Sequence, residues 1–429
     1  EICTAPIGVA ILSGCSTKAG PANHDSSPAT ASNTVSEARN VSVRFPAGTA
    51  TPSEVCGACH KAIFAEFMDG FGADLHTLES IPAAAGSVQL PPRKSPNATL
   101  HALSGVDPFP IHARSEENAG KSCNVCHFPL PFKLPLEDAP EIAKPVPRAK
   151  DTEAEGLTCA SCHLTPEGKI RGPHGVKAPH ETVAEPAMQT AVMCAYCHSA
   201  GARVIGKQTQ TFLEWRDDFH RPGLGTQYCQ DCHMPRTTRK TAEDFDVPQR
   251  AVARHLWTGG HSPQRVRSAL SVVVEALPDG EVKLHVINIG AGHSVPTGSN
   301  RRAVYLRAEL SDPGRRAAAQ SWMFAPYYAG RPDDRQFLDA DRELPDSISA
   351  IQADSQGPHE APIRAGEERV LSWKPEVRAG KHKLHVTLVY DINRYNPVEQ
   401  SGDQTALGEW WADIVIPISE VPAPSGAKK

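Results

Sequence analysis

Five segments of the chain read Cys-x-x-Cys-His, beginning at Cys56, Cys123, Cys159, Cys194 and Cys229. Two thiols three residues apart on one helical turn can each add across a vinyl group of one haem. The histidine beside the second thiol then reaches the iron. Paired thiols also suit a tetrahedral zinc ion or a disulfide framework, so the fifth residue decides. Histidine is 19 of 429 residues. A histidine after any one pair has a chance of roughly one in twenty, and five together roughly one in several million. The pattern predicts five haem c groups with their irons. Their thioether positions are Cys56, Cys59, Cys123, Cys126, Cys159, Cys162, Cys194, Cys197, Cys229 and Cys232, and the proximal ligands are His60, His127, His163, His198 and His233. Ten of the twelve cysteines are thereby used, leaving Cys3 and Cys15.

Each iron has a sixth position. Filled by protein, it makes an electron carrier; open, it admits substrate. The chain has only five methionines, while fourteen histidines stand outside the motifs. The expectation is therefore two histidines per iron and low potentials. The first candidates are His76, His180, His220, His255 and His293, with His101, His112, His174 and His261 as reserves. His293 sits in Gly290-Ala291-Gly292-His293, where the glycines are expected to let backbone approach a flat ligand closely. His255 and His261 lie between two regions of different composition. His285, His382 and His385 fall on or beside strand-like runs and read as structural; His24 falls in a polar tether and His359 in a polar loop. No CxxCK motif occurs, which speaks against the lysine-ligated haem of multihaem nitrite reductases.

The elements that position these residues change along the chain. Residues 1–15 resemble the remnant of a signal segment, with Ala10-Ile11-Leu12-Ser13-Gly14-Cys15 similar to a lipobox; this predicts export and membrane attachment by lipid at Cys15. Residues 16–50, rich in Ser, Thr, Ala, Asn and Pro, read as a flexible tether. Residues 51–264 carry the motifs, the last four spaced 36, 35 and 35 residues apart, and read as short helices and loops wrapped on haems. The 38 prolines exclude long helices through most of the chain. Phe128–Pro147 should be an extended loop, and Ala62-Ile63-Phe64 with Phe67-Met68 a helical turn.

Residues 265–420 change to short, β-branched, often alternating runs at 269–277, 281–289, 303–310, 369–373, 383–390 and 411–416. Pro278-Asp279-Gly280 turns the first two into a hairpin. Residues 421–429 form a tail. The expected fold class is mixed: a haem-wrapped region followed by an antiparallel β-sandwich. The net charge of −5 gives no sign of nucleic-acid binding. No run of 18 apolar residues predicts a membrane span.

Cys56 to His60 followed by Ile63-Phe64 and Phe67 resembles the opening of cytochrome c554-type multihaem proteins. There an aromatic pair precedes a ligand histidine five residues on. Here that position is Gly72, and His76 is the nearest candidate. Glu214-Trp215 to His220, then Cys229 to Pro235, repeats the idea with the histidine in place. His180 lies 14 residues before Cys194, as in related exported cytochromes, and the segments Arg254 to His261 and Gly292 to Gly298 are similar too. The likeness covers about residues 52–420. Some relatives are extracellular filament (nanowire) cytochromes, so it implies self-assembly into filaments that pass electrons to an extracellular acceptor. The alternatives are a soluble or lipid-anchored periplasmic carrier for redox partner proteins, and a nitrogen-oxide or hydroxylamine oxidoreductase.

Overall fold

The short helices of this chain sit where the cysteine motifs require them. In the computed structural model the described residues are 43–69, 126, 129–138, 156–199, 210–260, 262–298, 302–311, 318–325, 359–391 and 404–417. Cys123, His127, His76, His101, His112, His261 and the Cys15 segment lie outside them, as do most of the tether and the tail. Residues from Ser42 onward belong to one compact unit.

Three motifs each fall on one helix: α3 (Cys159–His163), α4 (Val192–His198) and α6 (Cys229–His233). The variable residues of two motifs help to start these turns. Ser161 Oγ accepts the Thr158 amide at 3.0 Å, and the Asp231 carboxylate accepts the Tyr228 amide at 2.9 Å. Each satisfies a backbone donor just ahead of the helix. The first motif departs from this pattern. Helix α1 (Ser53–Gly57) stops inside it, and α2 (Lys61–Asp69) begins after His60. Between α4 and α6 lie α5 (Thr211–Trp215) and a π-helical turn, Arg216–His220. Residues 129–136 contain no helix or strand, in keeping with their prolines.

Two small sheets brace this region. Strands β1 (Ile170–Gly172) and β2 (Thr182–Ala184) run parallel; β3 (Arg236–Arg239) and β4 (Arg250–Ala253) form an antiparallel pair. Helix α7 (Pro263–Arg267) then leads into the larger sheets. Ser262 caps it, accepting the Arg265 amide, and Pro263 occupies its first turn, where a missing N–H costs nothing. Val266 of this helix is buried in the core of the sheets, while the Arg265 guanidinium donates to the Cys232 carbonyl.

One larger sheet has the order β10-β6-β5, the other β12-β11-β7-β8-β9. Their strands are β5 (Leu270–Ala276), β6 (Val282–Asn288), β7 (Ala303–Ser311), β8 (Ala318–Phe324), β9 (His359–Glu360), β10 (Glu368–Trp373), β11 (Gly380–Asp391) and β12 (Gln404–Ile416). All pairings are antiparallel except β8 with β9. Strand β6 alternates strictly, with Val282, Leu284, Val286 and Asn288 inward. The two sheets share one apolar core, in which Leu284 and Val286 of the first meet residues such as Leu306, Leu384 and Leu388 of the second. The β5–β6 turn closes with Leu277 donating to the Glu281 carbonyl at 2.8 Å, and Gly280 takes the positive φ (84°) that this turn needs.

His285 lies on β6, and His382 and His385 on β11. His359, expected in a loop, starts the short strand β9. No described helix is long and apolar enough to cross a membrane.

Candidate haem sites

The described motif histidines do not stand alone. The ring of His60 faces that of His180 with centroids 6.4 Å apart. His163 faces His255 at 6.0 Å, and His233 faces His293 at 6.1 Å with the planes within 15°. These residues are far apart in sequence, so the fold makes the pairs.

Five of these six rings are anchored to backbone carbonyls. Nδ1 of His60 donates to the Thr241 carbonyl (2.6 Å), of His163 to Arg171 (3.2 Å), of His255 to Ala253 (3.0 Å), of His293 to Ser294 (2.9 Å), and of His233 to Thr258. A carbonyl only accepts, so Nδ1 carries the hydrogen and Nε2 keeps its lone pair. Metal-ligating histidines are held in this way, with the far ring nitrogen donating to a carbonyl. Nδ1 of His180 is buried with no hydrogen-bond partner among the described residues. Burial also holds two of the facing imidazoles neutral: His255 is pushed down to about 3 and His233 to about 4, in each case first by desolvation and then by its facing histidine. The same burial lowers His163, His293 and His198.

The donor set fits an iron taking one histidine on each face. A metal–imidazole bond of about 2 Å on either side leaves ring centroids roughly 6 Å apart. The fit is poorer for zinc: among the described residues, no three His, Cys, Asp or Glu side chains converge on one point. Burial raises the thiol of Cys162 to about 11.

The motifs adjoin one another. The Cys159 amide donates to Ser53 Oγ (3.3 Å), joining motif three to the helix that runs into motif one. Cys126 Sγ approaches the Cys197 carbonyl at 4.0 Å, and the Cys194 and Cys229 thiols are hydrogen-bonded, so motif four touches both two and five. Phe132 stacks on Tyr196 of motif four at 3.6 Å. The buried Arg171, whose own carbonyl holds His163, lies over the other partner of that stack, Phe132, at 5.2 Å. Gln230 of motif five donates to the Met188 and Thr190 carbonyls just ahead of motif four.

The loop carrying His293 is held from both sides. Asn288, at the end of β6, donates to the His293 carbonyl (2.9 Å) and the Ile363 carbonyl (3.1 Å), and accepts from Ala291 (3.1 Å). Glu214 of α5 accepts from the Ser294 amide (3.2 Å) and Thr297 Oγ1 (2.6 Å). Desolvation raises the Glu214 carboxyl despite these donors. A Cβ on Gly290 would lie 1.9 Å from the Ser268 carbonyl oxygen, and one on Gly292 would lie 3.0 Å from the Phe219 ring. Gly290→Ala should therefore cost about 1–3 kcal/mol, measured as a lowered denaturant midpoint with unchanged haem content.

Among the other candidates, His220 packs its ring on Trp215 at 4.6 Å, near Tyr228, rather than opposite His233. Its Nδ1 is buried with no partner among the described residues. His174 is exposed. Sequence reasoning passed over Glu66, Arg239 and Asn288, and named Glu214 and Arg254 only as the ends of motif-like segments, because the partners that give them a role include residues distant in the chain.

No family model matches the chain, and no curated protein matches it. Among solved structures, the chain is similar to a penta-heme cytochrome c552 from Thermochromatium tepidum. The identity is 17% and the TM-score 0.45, over 85% of this chain and 99% of that one.

Proposed function

We propose that the chain is a multihaem c-type cytochrome that transfers electrons outside the cytoplasm through five covalently attached haems. The observation that carries this reading is the set of three facing histidine pairs at 6.0–6.4 Å, each containing the histidine of a CxxCH motif. We read the architecture as a haem-wrapped region of short helices followed by a β-sandwich that supplies one ligand, His293.

The haems, when bound, supply reversible one-electron chemistry at iron. The chain's own residues do the rest. Cys56, Cys59, Cys126, Cys159, Cys162, Cys194, Cys197, Cys229 and Cys232 tether the groups, as would Cys123. The paired histidines would hold each iron from its two faces, and the carbonyls of Thr241, Arg171, Thr258, Ala253 and Ser294 fix the ring orientations. Adjacent motifs keep neighbouring sites in contact, as a transfer chain needs. An enzyme of the nitrogen-oxide type needs an open iron position; in these three pairs a second histidine stands there. Export is supported by the covalent attachment motif, and filament assembly by resemblance alone.

His293→Ala tests the reading. The ferric holoprotein should change from wholly low-spin to one high-spin haem in five, seen by electronic and paramagnetic resonance spectroscopy. A spectrum unchanged from the parent would remove His293 from the ligand set.

A further inference from the structure

Glu66 lies on α2, just after the first motif, yet each of its partners lies elsewhere in the chain. Its carboxylate is fully buried. Oε1 and Oε2 accept from the two terminal nitrogens of Arg239 at 2.8 and 2.7 Å, a bidentate fork. Oε1 also accepts from Arg254 Nε at 2.8 Å, and Oε2 from the backbone amide of His255 at 3.0 Å. Four donors thus meet the carboxylate's four lone-pair positions. The two arginines arrive by the β3–β4 pair, in which Arg239 lies opposite Arg250 and Ala253 runs on to Arg254.

The next residue of α2 grips the same segment. Phe67 meets Trp257 edge-on at 5.5 Å, and Trp257 meets the His255 ring edge-on at 5.2 Å. Trp257 holds a positive φ of 43°, which a bulky side chain adopts only where its surroundings insist. Glu66 therefore fixes the backbone of His255, and Phe67 reaches its ring through Trp257. A carboxylate that served only to pin the hairpin would need the two arginines but not the amide of the residue facing His163.

We propose that Glu66 is the positioning residue for His255: it sets the place from which that ring faces His163 and supplies a negative charge that offsets part of the positive charge of Arg239 and Arg254 beside that one haem. This rests on reading His163 and His255 as an axial pair.

The test uses the holoprotein with all five haems. Glu66→Ala frees the His255 amide, so one haem in five should turn high-spin and bind carbon monoxide. Glu66→Gln keeps an acceptor for the amide but removes the charge. It should stay low-spin, with one of five reduction potentials shifted upward, because two uncompensated cations disfavour the ferric state. A merely structural carboxylate would not move a single potential. Five low-spin haems in Glu66→Ala that bind no carbon monoxide would overturn the proposal. Should Glu66→Ala fail to accumulate, an unchanged redox titration of Glu66→Gln would overturn it instead. His255→Ala separates the two levels: five low-spin haems there would mean that the axial reading of His255 has failed, whereas one high-spin haem there beside five low-spin haems in Glu66→Ala would overturn the role of Glu66 alone.

Discussion

Replacing Cys229 and Cys232 together by serine should yield a chain with four covalent haems instead of five, by haemochrome absorbance and by mass of the denatured protein. A hydroxyl does not form the thioether, so attachment at that motif is abolished rather than weakened. The damage should spread beyond the count. The α6 turn carrying these thiols presents Gln230 to the Met188 and Thr190 carbonyls and receives Arg265 on the Cys232 carbonyl. His233 and His293 would then face each other across a gap with no metal to join them. Two buried imidazoles held neutral would lose the reason for their burial, which costs a polar group roughly 1–3 kcal/mol without compensation. Loss of stability should accompany loss of one haem. Parent protein with no covalent haem, and bound zinc in its place, would be incompatible with the reading.

The second large effect is expected in the sheets. Leu384 on β11 is fully buried, between β12 and β7 and against the facing sheet. Leu384→Ala removes its contacts and leaves a cavity that strands paired on both edges cannot close. The cost should be about 3 kcal/mol, within the range for buried leucines, read as a lower midpoint in chemical denaturation. The haem count should stay at five, because the core in which Leu384 sits contains no motif residue among the described residues. A midpoint within error of the parent would mean that the shared core is looser than drawn.

The motif helices were readable from sequence because thioether and iron chemistry tie five residues to one short turn. Even so, the break inside the first motif, between Gly57 and Lys61, left no trace in the spacing. Strands such as β6 announced themselves by alternation. Strand β8, Ala-Ala-Gln-Ser-Trp-Met-Phe, did not, since it lacks β-branched residues and its second half is buried without alternation. Which histidine faces which motif was the least legible part. His233 meets His293 across sixty positions, whereas His220, nearer in sequence, packs on Trp215 instead. The Glu66 hub joins residues 173 to 189 positions apart. Such pairings depend on tertiary closure, which no local periodicity encodes.

In the proposed function, the carbonyl anchors of the rings would bear on speed as well as on affinity. An electron arriving at a site must wait for nearby atoms to adopt positions suited to the new charge. A ring fastened through Nδ1 to backbone has little room to move, so the atoms are nearly in place for both oxidation states. The hydrogen bonds to Thr241, Arg171, Ala253, Thr258 and Ser294 would thus lower the nuclear rearrangement that each hop demands, and leave distance between neighbouring sites as the main control on rate.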